Sequence, residues 1–417
     1  MHADAIQAAG DDARIVRTKR GQRPVVGVSL AKRLDSTTSL QAPGPARNFA
    51  SHLLLYQCMK LILITSQQKT QCRLAALALG LLQAVSTSAA ANAVANAAPV
   101  TAEPIASERA SAPAVAAAND AYRSVDMLWT DADRQREIPV RLYWPTGASA
   151  ATPVPLVVFS HGLGGSRNGY SYLGKHWASL GFASLHVQHA GSDRALWTGN
   201  LFTLFGNLQA AASEANAIDR AKDVSFAITS ILNSKEYGAQ INASAMAVAG
   251  HSYGANTAML IGGATVQRNG TPLSLRDDRV KALILISAPP FTGEGNMTTI
   301  LGPIRVPTLH VTGTDDVIRV PGYYSDVADR VAVYDAVAAP DKLLTIYKGA
   351  THSIFTDRAS PAGFELNSAV KKATRELSGL FLKTVLGGAS GRAVDEWLSA
   401  QRGLLDRSAG SLSAANR

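Results

Sequence analysis

Apolar positions follow two rhythms along residues 121–387. Arg123–Thr130 and Glu137–Trp144 alternate apolar and polar side chains, with the polar stretch Asp131 to Arg134 between them, which predicts an antiparallel hairpin. Pro155–Ser160 and Ala183–Val187 are short unbroken apolar runs, and Tyr170–Leu180 between them has helical spacing. Continuous runs separated by helical stretches predict parallel strands buried on both faces. The alternation goes on through helix Ile218–Leu232, strand Ala245–Ala249, helix Asn256–Ile261, strands Lys281–Ile286, Thr308–Thr312 and Lys342–Tyr347, and helix Phe364–Val385. With no internal repeat, the prediction is one doubly wound α/β domain over 121–387. Its central sheet is mostly parallel, its hairpin is N-terminal, and helices cover both faces. Residues 388–417 are expected to hold a last helix, Arg392–Leu405, and a mobile Ser/Ala-rich tail.

Composition changes this picture mainly at the start of the chain. The 417 residues carry a formal charge of +9. Residues 1–93 hold 11 Lys+Arg against 4 Asp+Glu, so seven of the nine charges lie there. The remainder is nearly neutral, which argues against a nucleic-acid-binding body. Within the basic segment, Met59-Lys60, Lys69 and Arg73 precede the apolar run Leu74–Val85, and small residues follow from Ser86 to Ala93. Charged, apolar and small-residue regions in that order predict a signal peptide over 59–93, cleaved after Ala91 or Ala93, and hence an exported, periplasmic or extracellular protein. Translation is expected to begin at Met59, leaving 1–58 as a non-native upstream extension or a disordered segment. Cleavage would remove both cysteines, Cys58 and Cys72. No disulfide scaffold or thiolate metal cluster is expected, and no transmembrane segment in the mature chain. Residues 94–120, rich in Ala and Pro, read as a linker.

The candidate chemistry sits where predicted strands end. Gly250-His-Ser-Tyr-Gly254 follows the strand Met246–Ala249 and precedes a helical stretch. A sharp strand-to-helix turn leaves no room for side chains at its flanks and lifts the central residue, Ser252, clear of the sheet as a nucleophile. Strand Pro155–Ser160 ends in His161-Gly-Leu-Gly-Gly165. The backbone N–H groups of Leu163 and Tyr253 are the candidate oxyanion donors. Of nine histidines only His310 and His352 follow Ser252; His310 lies inside a strand, whereas His352 sits in a loop at the C-terminal edge of the sheet, so His352 is the candidate base. His251 is read as packing. Two aspartates, Asp315 and Asp316, follow strand Thr308–Thr312, and the spacing Gly-Thr-x-Asp favours Asp316 as the acid that orients the histidine.

With HGLGG, GHSYG, GTDD and GATH at the ends of successive strands, residues 121–387 resemble the α/β-hydrolase superfamily. In detail FSHGLGG, GHSYGA and GATHSIFTD resemble the bacterial dienelactone-hydrolase-like group and the platelet-activating-factor acetylhydrolases. The resemblance implies the α/β-hydrolase fold and ester hydrolysis by a serine nucleophile, with no metal and no organic cofactor. Two departures stand out. True dienelactone hydrolases use cysteine where this chain has Ser252. Some acetylhydrolases carry the acid after the strand that here ends in Ser287-Ala-Pro-Pro290.

About 20 residues separate the strands ending near Ile286 and starting near Thr308, too few for a large cap domain. Gly191–Ala211, with Trp197, Phe202 and Phe205, is the remaining lid and substrate-lining candidate, and Val320–Val333 is a second wall. The expected partner is a small-molecule or lipid-like ester. A peptidase, thioesterase or acyltransferase on the same triad, or a non-catalytic binding protein of this fold, is the alternative.

Overall fold

The computed structural model describes residues 121–198, 201–291, 295–320, 323–358 and 362–412. The proposed upstream extension, signal peptide and linker lie outside them. Strands β1 (Tyr122–Asp131) and β2 (Arg136–Pro145) form the expected hairpin, paired antiparallel from Tyr122↔Pro145 to Asp131↔Arg136. Next come β3 (Val154–Ser160), α1 (Ser171–Ser179), β4 (Ala183–Val187), α2 (Leu201–Ala211), α3 (Glu214–Leu232), β5 (Ile241–His251) and α4 (Tyr253–Gly262). A small hairpin of β6 (Thr265–Arg268) and β7 (Thr271–Ser274) follows α4. The chain continues through β8 (Val280–Ile286), α5 (Met297–Leu301), β9 (Thr308–Asp315), β10 (Ile318–Val320), β11 (Tyr323–Ser325), α6 (Val327–Ala336) and β12 (Lys342–Thr351). It ends in α7 (Phe364–Val385), α8 (Arg392–Ala400) and β13 (Leu405–Ser411).

Nine strands make one sheet in the order β1-β2-β4-β3-β5-β8-β9-β12-β13. The six from β4 to β12 run parallel, and β1, β2 and β13 are antiparallel additions at the edges. Side chains on a strand point alternately to its two faces, so an unbroken apolar run feeds two cores at once. In β3, Leu156 and Val158 join one core, and Val157 and Phe159 the other. In β5, Met246 and Val248 oppose Ala247 and Ala249 in the same way. Helices α3 and α4 cover the first face with Val224, Ile228 and Met259. On the second face α1 contributes Leu173 and Trp177, and α7 contributes Val370, Leu377 and Phe381. This is the α/β-hydrolase fold.

The C-terminal expectation is corrected. Helix α8 stops at Ala400, short of the expected Leu405, and residues 405–411, expected to begin at the helix end and run on as a mobile tail, pair antiparallel with β12 from Lys342↔Ser411 to Tyr347↔Leu405. Only Leu405 of that strand is buried. An edge strand held by backbone hydrogen bonds needs no apolar alternation, so its sequence carried no readable signal. Between β8 and β9 the described residues hold a single short helix, α5.

Candidate active site

The parallel strands all deliver their C-terminal ends to one edge of the sheet, and there the candidate residues meet. Strand β5 runs straight into Ser252, which has φ 54° and ψ −123°, strained for a residue with a side chain. The flanking glycines are obligatory for steric reasons. A Cβ on Gly250 would collide with the carbonyl of Gly254, and a Cβ on Gly254 with the carbonyl of Ser160. The Ser252 backbone N–H donates to the Ile286 carbonyl at 2.9 Å, fixing the turn against β8.

The Ser252 Oγ lies 2.9 Å from Nε2 of His352, and Nδ1 of His352 lies 2.7 Å from Oδ1 of Asp316. The three residues come from the ends of β5, β9 and β12. Asp316 is fully buried, and its Oδ2 accepts the Thr312 hydroxyl at 2.7 Å. Burial alone would raise its pKa, but the hydrogen bond and charge of His352, with Arg330 Nη2 at 3.5 Å, hold it far below the usual carboxylate range. Asp315 is exposed, and its carboxylate accepts the hydroxyl of its neighbour Thr314, at 2.9 Å. Asp316, the aspartate the Gly-Thr-x-Asp spacing favours, turns inward toward His352, while Asp315 faces solvent.

The turn after β3 leaves one amide over. Gly162 N–H donates to the Tyr170 hydroxyl, Gly164 N–H to the Ser192 carbonyl and Gly165 N–H to the Gly162 carbonyl. The N–H of Leu163 has no such partner among the described residues. Tyr253 is the first residue of α4, where amides lack an intrahelical acceptor. His310 and His251 are buried, as expected for packing residues, and burial lowers both to a pKa of about 3. His251 does more than fill space. Its Nδ1 meets the Tyr170 hydroxyl at 2.9 Å, and its Nε2 donates to the His352 carbonyl at 3.0 Å, bracing the backbone of the candidate base.

Sequence reading missed a buried polar network behind this edge. Arg220 of α3 is fully buried, with Nε 3.0 Å from Thr257 Oγ1, Nη1 2.8 Å from Ser192 Oγ and Nη2 3.0 Å from Ser160 Oγ. It also donates to the His161 carbonyl, and its guanidinium stacks 4.5 Å over the Tyr253 ring. Burial lowers its pKa to about 10, which leaves it charged at neutral pH. Ser160 also meets His189 at 2.9 Å, and His189 meets Asp223 at 3.0 Å; Arg136 and Arg134 neutralise that aspartate. One cation thus ties the Leu163 turn to the head of α4. A signal was present: Arg220 falls in register with Val224, Ala227, Ile228 and Ile231, the buried stripe of α3.

A cavity of about 1020 Å³ opens onto Ser252 and His352. Trp197 lines it and donates from Nε1 to the Gly164 carbonyl at 2.9 Å. Phe202 and Phe205 fall on α2, and their side chains lie outside the described residues. Of the second expected wall, Tyr323 lines the cavity, whereas Val327–Ala336 forms α6, with Val333 in the core. Among the described residues no group of three or more His, Cys, Asp or Glu is disposed to hold a metal ion. No helix among them is long and apolar enough to cross a membrane.

The fold and this site define a protein of the serine-hydrolase class. Residues 136–203 match the family model for platelet-activating factor acetylhydrolase, isoform II, and residues 212–331 match that for serine hydrolase (FSH1). The first match spans the turn with Leu163, and the second spans Ser252 and Asp316. The structure is similar to that of a ferulic acid esterase from Streptomyces cinnamoneus, with 20% identity over 68% of this chain and 95% of that one, at a TM-score of 0.48. No curated protein matches the chain. The two family-model matches support an α/β-hydrolase serine esterase family.

Proposed function

We propose that the protein hydrolyses carboxylic esters through an acyl-enzyme, with Ser252 as nucleophile, His352 as base and Asp316 as orienting acid. The reading rests on the unbroken relay from Ser252 Oγ through His352 to a buried, ionised Asp316, at 2.9 and 2.7 Å. Nε2 of His352 takes the hydroxyl proton as Oγ attacks the ester carbonyl. Asp316 keeps the proton on Nδ1 and stabilises the imidazolium without itself being protonated. The N–H groups of Leu163 and Tyr253 receive the oxyanion, each donor worth roughly 100- to 1,000-fold in rate. The imidazolium then protonates the leaving alcohol, and water, deprotonated by His352, releases the acid and restores Ser252. In the cell this chemistry is assigned to the periplasm or the exterior, after removal of the segment ending at Ala91 or Ala93; N-terminal sequencing of the exported protein checks this, and retention of residues 1–58 would refute it.

The test is hydrolysis of p-nitrophenyl esters by wild type and Ser252→Ala, together with labelling by a fluorophosphonate. Loss of both label and several orders of magnitude of rate in the variant is expected. A folded wild type that neither labels nor hydrolyses any ester overturns the proposal.

A further inference from the structure

The cavity is not uniform. Asn256 and Leu260 share one face of α4, because residues four apart do, and Ser252 stands just before the helix as its N-cap. Ser252, Asn256 and Leu260 all line the cavity, so it follows α4 away from the nucleophile. Eight residues at a rise of about 1.5 Å make this lane about 12 Å long.

Two polar side chains along the lane already bond the protein. Asn256 Nδ2 donates to the Pro289 carbonyl at 3.0 Å. Thr257 Oγ1 accepts from Arg220 and donates to the Tyr253 carbonyl at 3.1 Å. The hairpin end of the lane is largely apolar. The β6–β7 hairpin leaves the far end of α4 and turns its cross-strand pair Val266↔Leu273 into the cavity, followed by Leu275, while Gln267, Arg268 and Thr271 face solvent. Directly opposed side chains on one face of a hairpin act as a unit. Here that unit stands at the end of the lane, and neither Leu273 nor Leu275 is fully covered.

The geometry points to an acyl-chain lane: the ester cleaved at Ser252 carries a linear saturated acyl group of medium length, lying along α4 with its methyl end against Val266 and Leu273. The inference rests on the esterase reading above. With carbon–carbon bonds of about 1.5 Å at near-tetrahedral angles, a chain advances about 1.25 Å per carbon, so the lane holds roughly eight to ten carbons. Each methylene removed from water raises kcat/KM about three- to fourfold until the hairpin is reached.

The experiment measures kcat/KM on p-nitrophenyl esters from acetate to laurate for wild type and Leu273→Trp. The lane predicts a wild-type optimum at octanoate or decanoate. It also predicts that the decanoate-to-acetate ratio falls at least tenfold in the variant, a ratio that general damage to the fold would not move. An optimum at acetate or butyrate, or an unaltered ratio, overturns it. A binding arm is independent of catalysis: calorimetry of sodium decanoate and sodium butyrate with Ser252→Ala, alone and combined with Leu273→Trp. Preferential decanoate binding that the tryptophan weakens supports the lane. Equal or absent binding of the two acids refutes it, even where labelling has already decided the esterase question.

Discussion

Replacing Asp316 by asparagine exchanges one carboxylate oxygen for an NH2 group and separates two roles. Buried Asp316 accepts from the partly exposed His352 at 2.7 Å and from buried Thr312 at 2.7 Å, and faces buried Arg330 at 3.5 Å. An amide is nearly isosteric, so the pocket keeps its shape. It cannot hold the proton on Nδ1 while stabilising an imidazolium, and the tautomer that leaves Nε2 free as a base is lost. A fall in kcat of about 10,000-fold is expected, with KM little changed. The second role is electrostatic. Arg330 is 2% exposed and bonds the Ser325 hydroxyl, so loss of its neighbouring carboxylate leaves a buried cation without its counter-charge. Breaking such a pair costs about 3–5 kcal/mol, toward the low end here because 3.5 Å is a loose contact. The assay is steady-state ester hydrolysis beside urea denaturation, with Asp315→Asn as comparison. Asp315 is exposed and its carboxylate bonds the neighbouring Thr314 hydroxyl, so that variant should stay within a few-fold of wild type in both measurements. An Asp316→Asn enzyme within tenfold of wild type, or an equal loss in Asp315→Asn, would refute the reasoning.

Other outcomes follow from the buried groups. His186, His251 and His310 are held near a pKa of about 3 by burial, against an ordinary value of 6.5, so between these limits the unfolded chain binds protons that the folded one excludes. Stability is therefore full above pH 6.5 and declines as pH falls toward 3, while the depressed Asp316 adds a further loss below its ordinary value of 3.8; urea midpoints from pH 8 to pH 4 check this, and a flat profile would contradict it. Arg220→Met removes the donor shared by the Ser160, Ser192 and Thr257 hydroxyls and frees the Leu163 turn from the head of α4. It should lower the urea midpoint and cut kcat about 100-fold, since misplacement by 1 Å costs that much. Arg220→Lys keeps the charge without the fork of donors and should recover part of the stability but little of kcat; recovery of both would argue against positioning.

Much of this protein was legible from local pattern. Alternation in Arg123–Thr130 and unbroken runs such as Pro155–Ser160 reflect which faces of a strand meet water, a property each segment carries by itself. Glycines at 250 and 254 announced a turn with no room for Cβ atoms, and His352 stood out because it alone among the later histidines left its strand. The hidden parts are those in which the partner lies far along the chain. Strand β13 is defined by the backbone of β12, more than fifty residues earlier, and its own side chains face water. Asp316 differs from Asp315 only in which way β9 turns as it ends. Arg220 lies in register with the buried stripe of α3, but the partners that hold it, Ser160, Ser192 and Tyr253, come from other segments of the chain. Sequence by itself therefore determined the order of elements, the strained turn and the set of reactive side chains, because these depend on neighbours in the chain. The tertiary structure alone decided which aspartate faces the histidine, what holds the oxyanion turn to the nucleophile's helix, and where the cavity runs, because hydrogen bonds and closed surfaces exist only between segments that folding has brought together.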